Sequence, residues 1–308
     1  MNDVGVNYYF PIFLVFWYIL YRITFIKITM KAVIPAAGFG TRFLPATKSQ
    51  PKEMLPVYDK PIIQYTIEEA VASGIDDILI ITGRNKISIE DHFDKSYELE
   101  QTLQKAGKDR VLKQIRKITD LADVCYVRQK NQKGLGDAIL CAERHIGDEP
   151  FAVLLGDTIV KSQISCTKQL IDIHNKFKKP TVLLKEISTD KLNKYGIIGG
   201  SQIEPNIYRI NQLVEKPKIN ESPSNLAMVG RYILTPEIFD EIRQTEPGVN
   251  GEIQLTDAMS KLDEVYGVLF EGKTYNVATR LDWLKASIEF GLEDSTRDEL
   301  IEYMKTFI

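Results

Sequence analysis

Cysteine and histidine are scarce in this chain of 308 residues, which holds 3 Cys and 3 His. Cys125, Cys141 and Cys166 are odd in number and show no C-x-x-C spacing, so neither a disulfide framework nor a zinc site is indicated. That usage fits a reducing cytoplasm. His92, His145 and His174 are scattered; Cys141 and His145 would share a helix face, but with no further ligand beside them they read as packing. Charge of one sign is lacking as well. A net charge of -3 offers no general attraction for nucleic acid or an anionic membrane, which leaves a small anion, held locally, as the expected partner. There is no internal repeat, no low-complexity segment and no Pro/Gly/Ser linker. A hydrophobic content of 44% is enough for one large domain or two modest ones.

Only one long apolar run occurs, Tyr8 to Ile26, with Arg22 inside it. It approaches the roughly 20 residues that span a bilayer. A basic segment before it and a small-residue cleavage site after it are both missing, which argues against a secretory signal. Met30 stands immediately before the first core strand. The expectation is therefore that translation starts at Met30 and that residues 1–29 lie outside the fold; the alternative is a single membrane-anchoring helix.

What the chain does have is concentrated between Pro35 and Pro56, read as PAAGFGTRFLPATKSQPKEMLP. Two glycines, a Thr-Arg pair and two lysines follow directly on the strand Lys31–Ile34. Such a loop offers free backbone N–H groups and fixed positive charge, which suits a polyphosphate. Pro45, Pro51, Pro56 and Pro61 keep the segment after it from forming one long helix. Two other phosphate loops are excluded. Phe43 stands where G-x-G-x-x-G needs its third glycine, and Gly38 and Gly40 are too close together for G-x-x-x-x-G-K-[ST]. The block points to a nucleoside triphosphate.

From Lys31 onward β and α patterns alternate. Lys31–Ala36 and Asp77–Thr82 read as buried parallel strands, and Asp123–Gln129 and Phe151–Leu155 repeat the strand signal. Pro61 opens a helix that Gly74 closes, with Ile63, Ile67, Ala70 and Val71 on its buried face. A second helix is expected over Gly136–His145. This series predicts a doubly wound α/β sheet covered by helices. Residues 95–120 read as a solvated helical excursion. After Pro180 come the shorter strands Thr181–Ile187, Ile197–Ser201, Tyr208–Val214 and Met228–Leu234, which suggest an extended second lobe. Leu281–Gly291 and Asp294–Thr306 read as closing helices.

Open α/β sheets bind ligands beyond the carboxyl ends of their strands. At those ends stand the glycine loop, then Gln129 with Lys133-Gly134-Leu135-Gly136, then Gly156-Asp157. A Gln beside a glycine-rich helix start could read a base edge, and Asp157 could hold a magnesium ion bridging phosphates. The bland alternatives are a loop amide and an N-cap or turn residue.

With these strings in view, residues Lys31 to Phe290 resemble the bacterial-type UDP-glucose pyrophosphorylases, a group of sugar-phosphate nucleotidyltransferases. The resemblance is carried by Ala36–Arg42, Pro51–Pro56, Asp59–Tyr65, Lys133–Gly136, Val214–Pro217, Ser224–Ala227, Val229–Tyr232 and Glu252–Ala258. It implies a Rossmann-like doubly wound mixed sheet with an extended sugar-binding lobe. The nucleotide half would occupy about 30–160, the sugar half about 180–280, and a C-terminal helix 292–308. It implies that Ala37, Gly38, Gln129 and Gly134 hold uridine, and that Gly40, Thr41 and Arg42 cradle the triphosphate, with Lys52 near the phosphates being parted. Gly196, Glu215 and Gly230 would bind glucose, and Lys216 the phosphate of glucose 1-phosphate. Asp157 would be one ligand of Mg2+. The family's second metal carboxylate falls in a Tyr-Asp-x-Gly pattern, which here reads Tyr275-Asn276-Val277-Ala278. Asn276 brings a carbonyl oxygen without charge, which predicts weaker metal affinity. The implied reaction joins UTP and glucose 1-phosphate, in a cytoplasmic homo-oligomer. A dTTP-using or dual-specificity enzyme is the enzymatic alternative. A non-catalytic nucleotide-sugar-binding regulator is the alternative of another class.

Overall fold

The computed structural model describes residues 30–307. The apolar run Tyr8 to Ile26, with the choice between an anchor and a late start, lies outside the described residues. Among the described residues no helix is long and apolar enough to cross a membrane.

Thirteen strands are formed among the described residues: β1 (Lys31–Pro35), β2 (Pro56–Val57), β3 (Lys60–Pro61), β4 (Asp77–Thr82), β5 (Asp123–Arg128), β6 (Phe151–Leu154), β7 (Thr158–Lys161), β8 (Thr181–Glu186), β9 (Gly196–Glu204), β10 (Ile207–Glu215), β11 (Leu226–Leu234), β12 (Val265–Leu269) and β13 (Lys273–Asn276). Nine of them make one sheet in the order β5-β4-β1-β6-β11-β8-β12-β10-β9. The half built from β5, β4, β1 and β6 is parallel. Antiparallel β11 then follows β6, with Tyr232 opposite Val153, and the sheet continues as a mixed one. β9 also pairs back to β11 at Ile197 and Ala227, so the last five strands close on themselves.

The central strands are apolar on both faces because both faces are covered. Val33 of β1 joins one core with Leu79, Phe151 and Val153, while its neighbours Ala32 and Ile34 join the opposite core with Ile63, Ile67 and Leu170. This alternation is the strand period of two, and each such Val, Leu or Ile side chain contributes about 1.5–3 kcal/mol by burial. The helix Ile62–Ala72 presents Ile63, Ile67 and Ala70 to that second core, as its spacing required.

Local differences from the sequence expectations have local causes. The helix expected over Gly136–His145 is interrupted: Leu135–Leu140 and Glu143–Ile146 are joined by a tighter turn, in which Cys141 N donates to Ala138 O and Ala142 N to Ile139 O. The excursion at 95–120 is two helices, Tyr97–Lys105 and Asp109–Thr119, parted at Gly107 with φ 65°. It is not wholly solvated, since Leu103 and Leu112 are buried and Arg116 Nε donates to buried Glu100 Oε2 at 2.8 Å. The helix Cys166–Phe177 and the strands β7, β12 and β13 were not anticipated.

Candidate active site

The glycine loop leaves the sheet where Ala36 N donates to Ile81 O at 2.8 Å. Gly40 then turns the chain at φ 64°, and a Cβ there would lie 3.0 Å from Lys52 Cβ. Both the left-handed backbone and the close approach require glycine. Thr47 Oγ1 donates to Gly40 O at 2.8 Å and holds the turn from the other side. Thr41 and Arg42 follow, exposed, in the short turn Thr41–Phe43. Gly38 has open space where a side chain would be.

Lys52 opens a second turn, Lys52–Met54, and reaches from there to the end of β6, where its Nζ donates to Asp157 Oδ2 at 2.7 Å. Burial alone would lower the Lys52 pKa, but the Asp157 and Glu53 carboxylates outweigh it and hold the ammonium above its ordinary value. Burial likewise opposes the Asp157 charge, and the Lys52 ammonium overcomes it, so this carboxyl sits below the ordinary range. Arg42 is near enough for its charge to act on Lys52. Glu53 points inward and is paired with buried Lys86 at 2.8 Å, which ties the Lys52 turn to the segment after β4.

Gln129 stands at the end of β5 and is only 5% exposed. Its Nε2 donates to Asp137 Oδ2 at 2.6 Å and to Gly134 O at 3.3 Å. Gly134, at φ 113°, is pressed against Ile253, whose N donates to Lys133 O at 2.7 Å and whose O accepts from Gly136 N at 2.9 Å. Gln132 donates its amide to Ala37 O, so the helix start and the glycine loop are drawn together.

The residues expected at the sugar form a second cluster. Gly196 faces Glu215 across β9 and β10, and a Cβ on it would lie 3.0 Å from Thr256 Oγ1 and 3.2 Å from Glu215 Oε2. Glu215 accepts from Thr256 Oγ1 at 2.7 Å and from Lys216 Nζ at 2.7 Å. Lys216 sits at φ 46°, a left-handed conformation that costs a non-glycine residue on the order of 1 kcal/mol and collects at functional sites. Gly230, at φ 74°, accepts from Leu155 N at 2.9 Å, two residues before Asp157. Buried Tyr232 feels both the Glu215 and the Asp157 carboxylates, and burial first, then these charges, push its hydroxyl pKa up.

Asn276 ends β13 opposite Thr158 of β7, and Val277 N donates to Asp157 O at 2.9 Å. Asn276 Oδ1 is buried and has no hydrogen-bond partner. An unsatisfied buried oxygen, on a segment whose main chain is bonded to that of Asp157, fits a hard cation that prefers oxygen ligands. Among the described residues no three His, Cys, Asp or Glu side chains gather for a metal, so a cation here would lean on substrate phosphates for its remaining ligands.

Several residues of this arrangement went unread in the sequence. Asp137, Thr256 and Glu53 lie inside or next to the strings quoted above, so their places were visible but their partners were not. Lys86 carried no local signal at all.

The chain is similar to known proteins over most of its length. Residues 31–283 match the profile of the nucleotidyl transferase family. The UTP–glucose-1-phosphate uridylyltransferase 2 of Staphylococcus saprophyticus is 52% identical over 279 residues, covering 89% of this chain and 96% of that protein. The UTP–glucose-1-phosphate uridylyltransferase of Bacillus subtilis is 49% identical over 283 residues, covering 91% and 97%. A crystal structure of UDP-glucose pyrophosphorylase complexed with UDP-glucose superposes with a TM-score of 0.80 at 44% identity, covering 86% of this chain and 100% of that one. Nucleotidyltransferases of this kind work with a divalent metal. By its profile, its relatives and its fold, the chain belongs to the nucleotidyl transferase family, within the UTP–glucose-1-phosphate uridylyltransferases.

Proposed function

We propose that the chain transfers the uridylyl group of UTP to glucose 1-phosphate, yielding UDP-glucose and pyrophosphate. The observation that carries this reading is the contact of Lys52 with Asp157 at 2.7 Å, which joins the glycine-loop segment to the end of β6. The relatives named for this reaction support it. An ionised oxygen of glucose 1-phosphate attacks the α-phosphorus; the new O–P bond forms as the bond to the bridging oxygen breaks, and pyrophosphate leaves in line. Such a nucleophile needs no general base, which agrees with the absence of histidine among the residues assigned here.

The residues have separable roles in this reading. Gly40, Thr41 and Arg42 hold the triphosphate, and Lys52 neutralises charge that builds on the departing pyrophosphate. Ala37, Gly38, Gln129 and Gly134 receive the base and ribose. Glu215, Gly196 and Gly230 receive the sugar, and Lys216 its phosphate, so that two mutually repelling anions are aligned. Asp157 and Asn276 would hold Mg2+, which when bound withdraws charge from the phosphate oxygens. The nucleotide half is assigned to about residues 30–160 and the sugar half to about 180–280. The reading includes a cytoplasmic homo-oligomer; free Cys125, Cys141 and Cys166 fit a reducing compartment.

The test is pyrophosphate release by the purified full chain, with UTP, dTTP, CTP and ATP each crossed with glucose 1-phosphate and galactose 1-phosphate. Release from UTP and glucose 1-phosphate that depends on magnesium is expected. Binding of UDP-glucose without release from any pair would replace the enzyme with the non-catalytic regulator.

A further inference from the structure

We infer that Asp137 sets the base specificity of the site by fixing which end of the Gln129 amide faces the nucleotide. This rests on the reading above that Gln129 meets the base. The two ends of a glutamine amide have nearly the same shape, and only their partners tell them apart. Here both partners are acceptors. Gln129 Nε2 lies 2.6 Å from Asp137 Oδ2 and 3.3 Å from Gly134 O. A carboxylate has no proton to give, and neither has a main-chain carbonyl. With the amide turned over, the Gln129 oxygen would face two other oxygens at those distances. The orientation is therefore imposed by chemistry.

Both Nε2 hydrogens are used within the protein, and Oε1 receives no hydrogen bond from the described side chains. The end left for a ligand is an acceptor. Among pyrimidines, an acceptor at the base edge takes the N3–H of uracil or thymine. It opposes cytosine, whose N3 carries a lone pair in the same direction. The Gly134 contact is too long to hold the amide alone, and Gly134 itself is immobilised by Ile253 on either side of the helix start. Asp137 thus acts as a positioning residue: it selects imide-bearing pyrimidines as a class, and leaves the choice between UTP and dTTP to other contacts.

The experiment measures equilibrium binding of UTP and CTP to the full chain, as wild type, Asp137→Ala, Asp137→Asn and Gln129→Ala. The wild type is expected to prefer UTP. Asp137→Ala removes the acceptor and should lower the UTP-over-CTP ratio by about tenfold or more, the scale of one well-placed polar base contact. Asp137→Asn keeps an acceptor oxygen and should recover most of the ratio. A merely structural role would weaken both nucleotides alike and leave the ratio where it was, and that result overturns the inference. If Gln129→Ala changes the ratio and Asp137→Ala does not, only the positioning role falls; if neither changes it, Gln129 does not read the base. Should Asp137→Ala not fold, Asp137→Ser takes its place, and the wild type separately tests the acceptor end. UTP methylated at N3 should bind at least about tenfold more weakly than UTP, and equal binding sinks the acceptor at the base edge.

Discussion

Asn276 brings an oxygen to the end of β13 but no charge, and that oxygen is buried without a partner. The main chain brings Asp157 close, since Val277 N donates to Asp157 O, and Lys52 already occupies one oxygen of its carboxylate. Divalent affinity at an oxygen site follows the number of charged ligands. Asn276→Asp is therefore expected to tighten magnesium binding by about tenfold, read by calorimetric titration of the nucleotide-bound protein. Unchanged affinity would mean that the cation does not reach this corner. At this scale the sequence was informative where a residue type carries its chemistry in itself: Arg42 and Lys52 stand out as charges in the loop after β1, and Asp157 as one just after β6. It was silent where a role comes from a distant partner. Asp137 and Glu69 drew no reading from the sequence: Gln129 lies against the one, and Arg231 reaches the other from 162 residues away.

That last pair organises elements rather than a single contact. Arg231 of β11 is fully buried, and Glu69 of the helix Ile62–Ala72 receives its Nη2 at 2.7 Å. The same guanidinium donates to Leu155 O at 3.2 Å, Gly230 O at 3.0 Å and Thr158 O at 2.7 Å, thereby holding the main chain on both sides of Asp157. Cys166 and Thr167 of the helix Cys166–Phe177 add hydrogen bonds to Glu69 Oε1 at 2.9 and 2.6 Å. Removing one member of such a pair leaves a charge buried without its partner. Glu69→Ala should cost about 3–5 kcal/mol in urea unfolding. Because Arg231 grips the Asp157 loop, kcat should fall as well in the fraction that remains folded. A loss under about 1 kcal/mol would show that water or another group replaces the carboxylate easily. The elements themselves were readable where pattern and packing agree, as in β1, β4 and the helix Ile62–Ala72. β12 escaped because Gly267 breaks its apolar run, and the reason for that glycine lies elsewhere in the chain: a Cβ at Gly267 would collide with the side chain of Leu184 on neighbouring β8.

For the molecule as a whole, the parallel half of the sheet was legible because βαβ units are local, whereas the return of β9 to β11 is a long-range closure with no trace in spacing. Folding buries titratable groups, and this gives stability a pH dependence whose sign can be worked out. His174, in the helix Cys166–Phe177, is buried with Nδ1 at 2.8 Å from Lys179 O, and His92 is half-buried with Nε2 at 3.0 Å from Gln64 Oε1. Burial holds both below the ordinary 6.5, so the folded state resists the proton that the unfolded chain accepts. As pH falls below that value the unfolded state gains protons first, and stability is lost. Glu69 comes next. Burial opposes its charge, but Arg231 and the hydrogen bonds around it outweigh burial, and its folded pKa lies below the ordinary 4.5. Its contribution is present above that value and disappears as the carboxylate is forced to protonate. Urea midpoints should therefore be level from about pH 8 to 7, decline as pH passes below about 6.5, and drop more steeply below about 4.5. Replacing His92 and His174 together by Asn should flatten the first decline and leave the second in place. A wild-type midpoint that stays level down to about pH 5 would mean that neither imidazole is kept neutral by the fold.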